Sequence, residues 1–126
     1  ILRWSALPGA SRHHWGTDFD FYAGDTKPQL SLQEYLPSGV FGEANQWLSK
    51  HMHEHGFFRP YSQDLNGVAP EPWHLSYAPV SEKYLQQYSL DFFLQSIADS
   101  DFDLKEIVLA NSEDVYSRFV VNISLN

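Results

Sequence analysis

Polar and apolar positions divide the chain into a short strand region, a helix, a hairpin and a largely helical second half. Asp18-Phe19-Asp20-Phe21-Tyr22 alternates polar and aromatic residues, the period-two pattern of a half-buried strand. That period puts Asp18 and Asp20 on one face, with Phe19 and Phe21 packing the other. The breaker cluster Leu7-Pro8-Gly9-Ala10-Ser11 predicts a loop ahead of the strand, and Gly24-Asp25-Thr26-Lys27-Pro28 ends it. Phe41, Ala44, Trp47, Leu48 and Met52 recur at helical spacing, which predicts a helix over 41–55 closed by Gly56 as its C-terminal cap. Gly56-Phe57-Phe58-Arg59-Pro60-Tyr61 reads as a short extended piece. The turn signal Asn66-Gly67 then predicts a hairpin returning through Glu71-Pro72-Trp73-His74-Leu75-Ser76-Tyr77. Downstream, Ser81 is placed to cap a helix starting at Glu82, and further helix is expected over 90–98 and 104–110. The β-branched stretch over 118–125 predicts a closing strand. Strands followed by several helices make an α+β domain, with neither repeat nor linker.

Composition narrows the functions this fold can serve. With 126 residues, 43% of them apolar and 16% aromatic, the chain can bury one real core and does not read as disordered. Sixteen acidic against eight basic residues give a net charge of -8, which repels a phosphate backbone and an anionic membrane surface. No apolar run approaches the length needed to span a bilayer. There are no cysteines, which excludes disulfides, thiolate zinc sites and a cysteine nucleophile. Any metal must be held by imidazole and carboxylate, so the six histidines are read first.

Two clusters carry the needed residue types: Ser11-Arg12-His13-His14-Trp15-Gly16-Thr17-Asp18-Phe19-Asp20 and Glu71-Pro72-Trp73-His74. A catalytic zinc ion takes three protein ligands and leaves a fourth position open. A loop histidine beside a strand aspartate, facing a histidine on a neighbouring strand, could close around one ion, with Gly16 bending the backbone between them. Residue types alone leave this open, since isolated histidines are more often structural or at the surface. His51 and His55 form a second i, i+4 pair, but no carboxylate accompanies them in a metalloprotease-like arrangement, and cations near a helix C-terminus are favourable by themselves. Asp99-Ser100-Asp101-Phe102-Asp103 lacks the glycine and spacing of a calcium loop and reads as a solvated turn. Trp15, Trp47 and Trp73 read as core or pocket wall.

The pattern Ser-x-His-x-x-Gly-x-x-x-Asp on Ser11, His13, Gly16 and Asp20, followed by Glu71-Pro72-Trp73-His74 and Tyr77, resembles the zinc D,D-peptidases. That group includes the D-alanyl-D-alanine carboxypeptidases of the vancomycin-resistance type and shares a wider fold with lysostaphin-type and hedgehog-type domains. Ala44-Asn45-Gln46-Trp47-Leu48 and His55-Gly56-Phe57 match its helix and following turn, so the likeness covers residues 8–78. The resemblance implies a small central antiparallel sheet carrying a zinc site, flanked by helices. It implies one Zn2+ per chain, held by His13, Asp20 and His74, with Glu71 as the base that takes a proton from water and gives it to the leaving amine. The implied partner is a peptidoglycan stem peptide, cut at its terminal D-Ala-D-Ala bond. The rivals are an endopeptidase or D,D-dipeptidase on the same scaffold and, from another class, a non-catalytic peptidoglycan-binding module, against which the retained Glu71 counts. Such a substrate implies the bacterial envelope, on the periplasmic side. Ser11, Asp18, Trp73 and Tyr77 are expected to face substrate or support the ligands, and His14 to be structural or substrate-facing.

Two departures from the family pattern matter. The arginine of its upstream Tyr-Arg-Ser segment has no counterpart here, and neither Arg3 nor Arg12 matches it by motif. The chain opens on Ile1-Leu2-Arg3-Trp4, so the expectation is a single metallopeptidase domain over 1–126 that lacks its N-terminal part. Asp18 stands where the family usually has a small residue, which puts two carboxylates on one face. The His-x6-Asp spacing favours Asp20 as the ligand, leaving Asp18 to hydrogen-bond a ligand imidazole and fix its tautomer. Residues three apart on a regular strand face opposite ways, so Glu71 can join His74 only if Pro72 makes the strand entrance irregular.

Overall fold

Three short strands meet in one antiparallel sheet. They are β1 (Asp18–Asp20), β2 (Phe57–Phe58) and β3 (His74–Tyr77), in the order β1-β3-β2. The structure is a computed structural model, and it describes residues 1–125. β1 pairs with β3 in the register Asp18 with Ser76, Phe19 with Leu75 and Asp20 with His74. β2 pairs with the other edge, Phe57 with Tyr77 and Phe58 with Ser76. Paired residues share a face, so Asp18, Asp20, His74 and Ser76 line one side of the sheet and Phe19, Leu75 and Tyr77 the other. β2 and β3 do pair antiparallel, but the strands stop at Phe58 and resume at His74, so Asn66-Gly67, with Asn66 at φ 61°, bends a long connecting loop and is not a tight hairpin turn.

Helices flank this sheet: α1 (Leu32–Tyr35), α2 (Gly42–His51), α3 (Ala78–Gln87), α4 (Leu90–Ala98), α5 (Lys105–Ala110) and α6 (Ser112–Val115). The architecture is the expected α+β class. Ser89 caps α4 by accepting the Phe92 N–H at 3.1 Å, and α4 then buries Phe93 and Ile97 against Val108, Val115 and Val120. A second, smaller core of Tyr35, Phe41 and Trp73, joined by Phe21, lies at the other end of the chain's first half. No helix among the described residues is long and apolar enough to cross a membrane.

Four local expectations change. The helix over 41–55 is α-helical only to His51 and tightens to a 3-10 turn over Met52–His55, which takes His51 and His55 off the i, i+4 face; Gly56 ends it at φ 78° as expected. Ser81 is no cap. Pro79 fits the first turn of α3 and starts the helix earlier, leaving Ser81 fully buried inside it. The stretch over 118–125 is no strand: Tyr116–Val120 forms a π-helical turn, because Val115 and Val120 are drawn into the helical core and that packing overrides β-propensity. Phe19 is 45% exposed and Trp47 53% exposed, so neither is core, whereas Phe21 and Trp73 are packed as read.

Candidate metal centre

Ser11 accepts the His13 N–H at 3.3 Å and so caps a 3-10 turn over Arg12–Trp15. Gly16, at φ 70°, closes the turn with its N–H on the His13 carbonyl. The turn lays His13 beside β1, where its Nδ1 is 3.1 Å from the Asp18 carbonyl. A carbonyl can only accept, so Nδ1 carries the proton and Nε2 is left as a free lone pair facing Asp20 Oδ1 at 3.6 Å.

His74 is oriented by the same logic from the opposite strand. The residue is 2% exposed, and its Nε2–H donates to Asp18 Oδ2 at 2.9 Å. That leaves Nδ1 3.7 Å from Asp20 Oδ1. His74 Nδ1 and Asp20 Oδ1 are both buried and have no hydrogen-bond partner among the described residues. Buried polar atoms are rarely left so. One donor atom each from His13, Asp20 and His74 lies within 4.8 Å of the other two. Two imidazole nitrogens and a carboxylate oxygen, converging with lone pairs free, form a donor set that suits a zinc ion.

Glu71 joins them because the entrance to β3 is a turn. The His74 N–H returns to the Glu71 carbonyl at 3.2 Å, and the Glu71 N–H donates to the Tyr61 carbonyl at 2.9 Å. Arg59, buried beneath, donates from Nε to the Pro72 carbonyl at 2.8 Å and from its other nitrogens to Ser49 and Asn45. Glu71 Oε2 thereby reaches within 3.3 Å of His74 Nδ1, though misaligned for a hydrogen bond. The irregularity expected at Pro72 brings the Glu71 carboxylate and the His74 imidazole to one side.

Asp18 is engaged otherwise. Arg12 Nε at 2.8 Å, Ser76 Oγ at 2.9 Å, Thr17 Oγ1 at 2.8 Å and His74 Nε2 fill its two oxygens. Burial alone pushes the Asp18 carboxyl up, but the hydrogen bond from His74 and the Arg12 guanidinium outweigh it, and the group is held below the usual carboxylate range. Asp20 moves the other way: burial raises it, and Glu71 and Asp18 add to that against the pull of His13 and His74. Burial pushes His74 down, yet its contacts with Asp18 and Glu71 leave it above the ordinary histidine value. Asp18 is thus the carboxylate that fixes the tautomer of His74, and Asp20 the one with an oxygen to spare.

A cleft of about 280 Å³ opens on this group, lined by Ser11, His13, Asp20, Tyr61, Glu71, Trp73 and His74, with Leu2, Trp4 and Leu7 across from them. Tyr77 is not brought to it. Its side chain lies on the opposite sheet face, 5.2 Å from the Phe57 ring. His14 also points elsewhere, into a groove with Trp15, Tyr84 and Phe92. The sequence reading missed the buried chain Arg12–Ser76–Ser81, in which Arg12 Nη2 donates to Ser76 Oγ at 2.8 Å and Ser76 Oγ meets Ser81 Oγ at 2.9 Å. Period two along β3 places Ser76 on the face of His74 and could have signalled it; nothing local marks Ser81. Tyr61, too, went unread.

The family model described as D-alanyl-D-alanine carboxypeptidase matches residues 1–80, a span that holds His13, Asp20, Glu71 and His74. An uncharacterized protein of Haemophilus influenzae is 31% identical over 122 residues, covering 91% of this chain and 93% of its own length. A D-alanyl-D-alanine carboxypeptidase of Enterococcus faecalis is 28% identical over 102 residues, 74% of this chain and 33% of that protein, so the chain spans a third of this relative. No solved structure matches. With more than half of its residues matched and both motifs inside the match, the chain belongs to the D-alanyl-D-alanine carboxypeptidase family.

Proposed function

We propose that this chain is a zinc-dependent D,D-carboxypeptidase that hydrolyses the terminal D-Ala-D-Ala bond of peptidoglycan stem peptides, with residues 1–126 as one metallopeptidase domain working in the bacterial envelope, on the periplasmic side. The observation that carries the reading is the pair of orphaned buried atoms, His74 Nδ1 and Asp20 Oδ1, 3.7 Å apart and faced by His13 Nε2. His13, Asp20 and His74 would hold the zinc ion, which supplies Lewis acidity toward a carbonyl and toward water when bound. Glu71 would serve as the base. It takes a proton from the attacking water as the new C–O bond forms, and returns it to the amine as the C–N bond breaks. Asp18 keeps the His74 proton on Nε2 and so keeps Nδ1 free. The named activity of the Enterococcus relative favours a carboxypeptidase over an endopeptidase or a D,D-dipeptidase.

The test is release of D-alanine from diacetyl-Lys-D-Ala-D-Ala by zinc-loaded protein. Glu71→Ala should lose that release by about 10²–10⁴-fold while retaining one zinc per chain. Full activity in Glu71→Ala would refute the mechanism. Failure of the native protein to hold zinc would refute the site, and binding of peptidoglycan peptides without any cleavage would favour a binding module instead.

A further inference from the structure

We propose that the Tyr61 hydroxyl is a catalytic hydrogen-bond donor to the carbonyl oxygen of the bond being cleaved. The inference rests on the peptidase reading above and adds a residue to it. Tyr61 is 9% exposed and lines the cleft together with His13, Asp20, Glu71 and His74. Its ring stands edge-on to that of His74, with centroids 5.0 Å apart at 80°. Its own carbonyl accepts the Glu71 N–H, so phenol and base hang from the same piece of backbone.

What singles out Tyr61 is what its hydroxyl does not do. The other half-buried or buried tyrosines with inward hydroxyls give them to backbone carbonyls: Tyr35 to Phe21, Tyr88 to Gly9 and Tyr116 to Tyr88, each at 2.7 Å. A buried tyrosine normally finds such a partner. The Tyr61 hydroxyl makes no hydrogen bond to any described residue, and Tyr61 lines the cleft that holds the orphaned His74 and Asp20 atoms. A donor left open there is placed for a group that arrives with the substrate.

The chemistry of the neighbourhood selects that group. Asp18, Asp20 and Glu71 make the site rich in negative charge; Arg12 gives Nε to Asp18 and Nη2 to Ser76, and only its Nη1 is left without a partner among the described residues. A neutral O–H suits an oxygen that is uncharged in the bound substrate and gathers negative charge only as water adds to the carbonyl carbon. Such a contact strengthens in the transition state, so it acts on kcat rather than on KM. Tyr61 neither gains nor loses its proton in this role.

Tyr61→Phe in the zinc-loaded full chain tests it, since the substitution keeps the ring and removes an oxygen that holds nothing else. The expected result is a kcat for D-alanine release lowered about 10²-fold, the lower end for loss of one such donor, with KM within about two-fold. Zinc content and Tm should not change. A phosphinate analogue of the dipeptide, titrated calorimetrically, should lose affinity by the same factor, while the intact substrate's affinity in Glu71→Ala/Tyr61→Phe stays that of Glu71→Ala. Wild-type kcat in Tyr61→Phe, or a raised KM at unchanged kcat, overturns the assignment of Tyr61 and leaves the peptidase reading standing. If the wild type releases no D-alanine, the peptidase reading fails on its own; equal phosphinate affinity in wild type and variant, or none in either, then overturns the Tyr61 role as well.

Discussion

Asp18 and Asp20 are two residues apart on the same strand face, yet the structure gives them opposite roles, and a pair of isosteric substitutions separates them. Asp18→Asn removes the charge that four donors share and leaves the Arg12 guanidinium buried without its counter-ion. The Arg12 and Asp18 side chains are 1% and 0% exposed, so solvent does little to screen the loss. Removing one partner of a buried pair destabilises by about 3–5 kcal/mol. For a chain of 126 residues, that is a fall in Tm of roughly 11–19 °C. Because the amide can also present an N–H to His74, it disturbs the imidazole tautomer, and zinc affinity should fall by about 10–100-fold. Asp20→Asn does the reverse. Asp20 Oδ1 receives no hydrogen bond, and burial, with Glu71 and Asp18 nearby, outweighs the pull of His13 and His74 and disfavours its charge. In metal-free protein the substitution should therefore leave stability unchanged or slightly raised, while zinc binding is lost. Differential scanning calorimetry of chelated protein, with zinc titrations of each variant, reads both arms. Equal destabilisation by the two substitutions would refute this division of labour, as would an Asp20→Asn protein that still binds zinc like the wild type.

The depressed Asp18 pKa makes a prediction about acid. A carboxyl held lower in the folded state than the unfolded value of about 3.9 adds stability above that value and loses it as pH falls through the folded pKa. Urea denaturation of metal-free protein should thus show the gap between wild type and Asp18→Asn shrinking steadily below about pH 4, and a gap that stays constant to pH 2 would sink the idea. A third expectation concerns the bend at Asn66-Gly67 in the loop between β2 and β3. A Cβ at Gly67 would run into the Arg118 carbonyl, and Arg118 in turn donates to the Asn66 carbonyl, so Gly67→Ala has no room to relax. It should destabilise by about 1–3 kcal/mol in thermal unfolding with no change in zinc stoichiometry, and a neutral result would show that the turn can shift away from the C-terminal segment.

The parts of the molecule legible in the sequence were those written in local periodicity or in paired motifs. Period two over Asp18 to Phe21 gave the shared face of the two aspartates, and the spacing of Phe41 to Met52 gave α2. Two motifs far apart in the chain pointed to His13, Asp20, Glu71 and His74, which the fold brings to one cleft. What stayed hidden depends on contacts between distant segments. Ser81 looks like a cap by residue type, and only the approach of α3 to β3 turns it into a buried partner of Ser76. The β-branched residues near the C-terminus look like a strand, and only the helical core around Phe93 and Ile97 explains why they are not. Tyr77 belongs to the motif by position, but the alternation of β3 sends it to the far face. Tyr61 has no motif, and its place follows from how the segment after β2 passes under Glu71.

The register that sets Asp20 opposite His74 also governs when the centre can exist during folding. The partners on β1 and β3 are distant in sequence: Asp18 and His74 are 56 positions apart, and the sheet brings them together. Closing so long a loop carries an entropic penalty, so this pairing is expected to form after α2 and α4 have begun to order. A partly opened state that has lost β1–β3 keeps His13 beside Asp20 but loses His74 from them. Backbone amide exchange in β3, the central strand, should therefore follow opening of the sheet rather than local fraying, and an ion bridging His13, Asp20 and His74 would slow that exchange by acting as the cross-link that a chain without cysteines otherwise lacks.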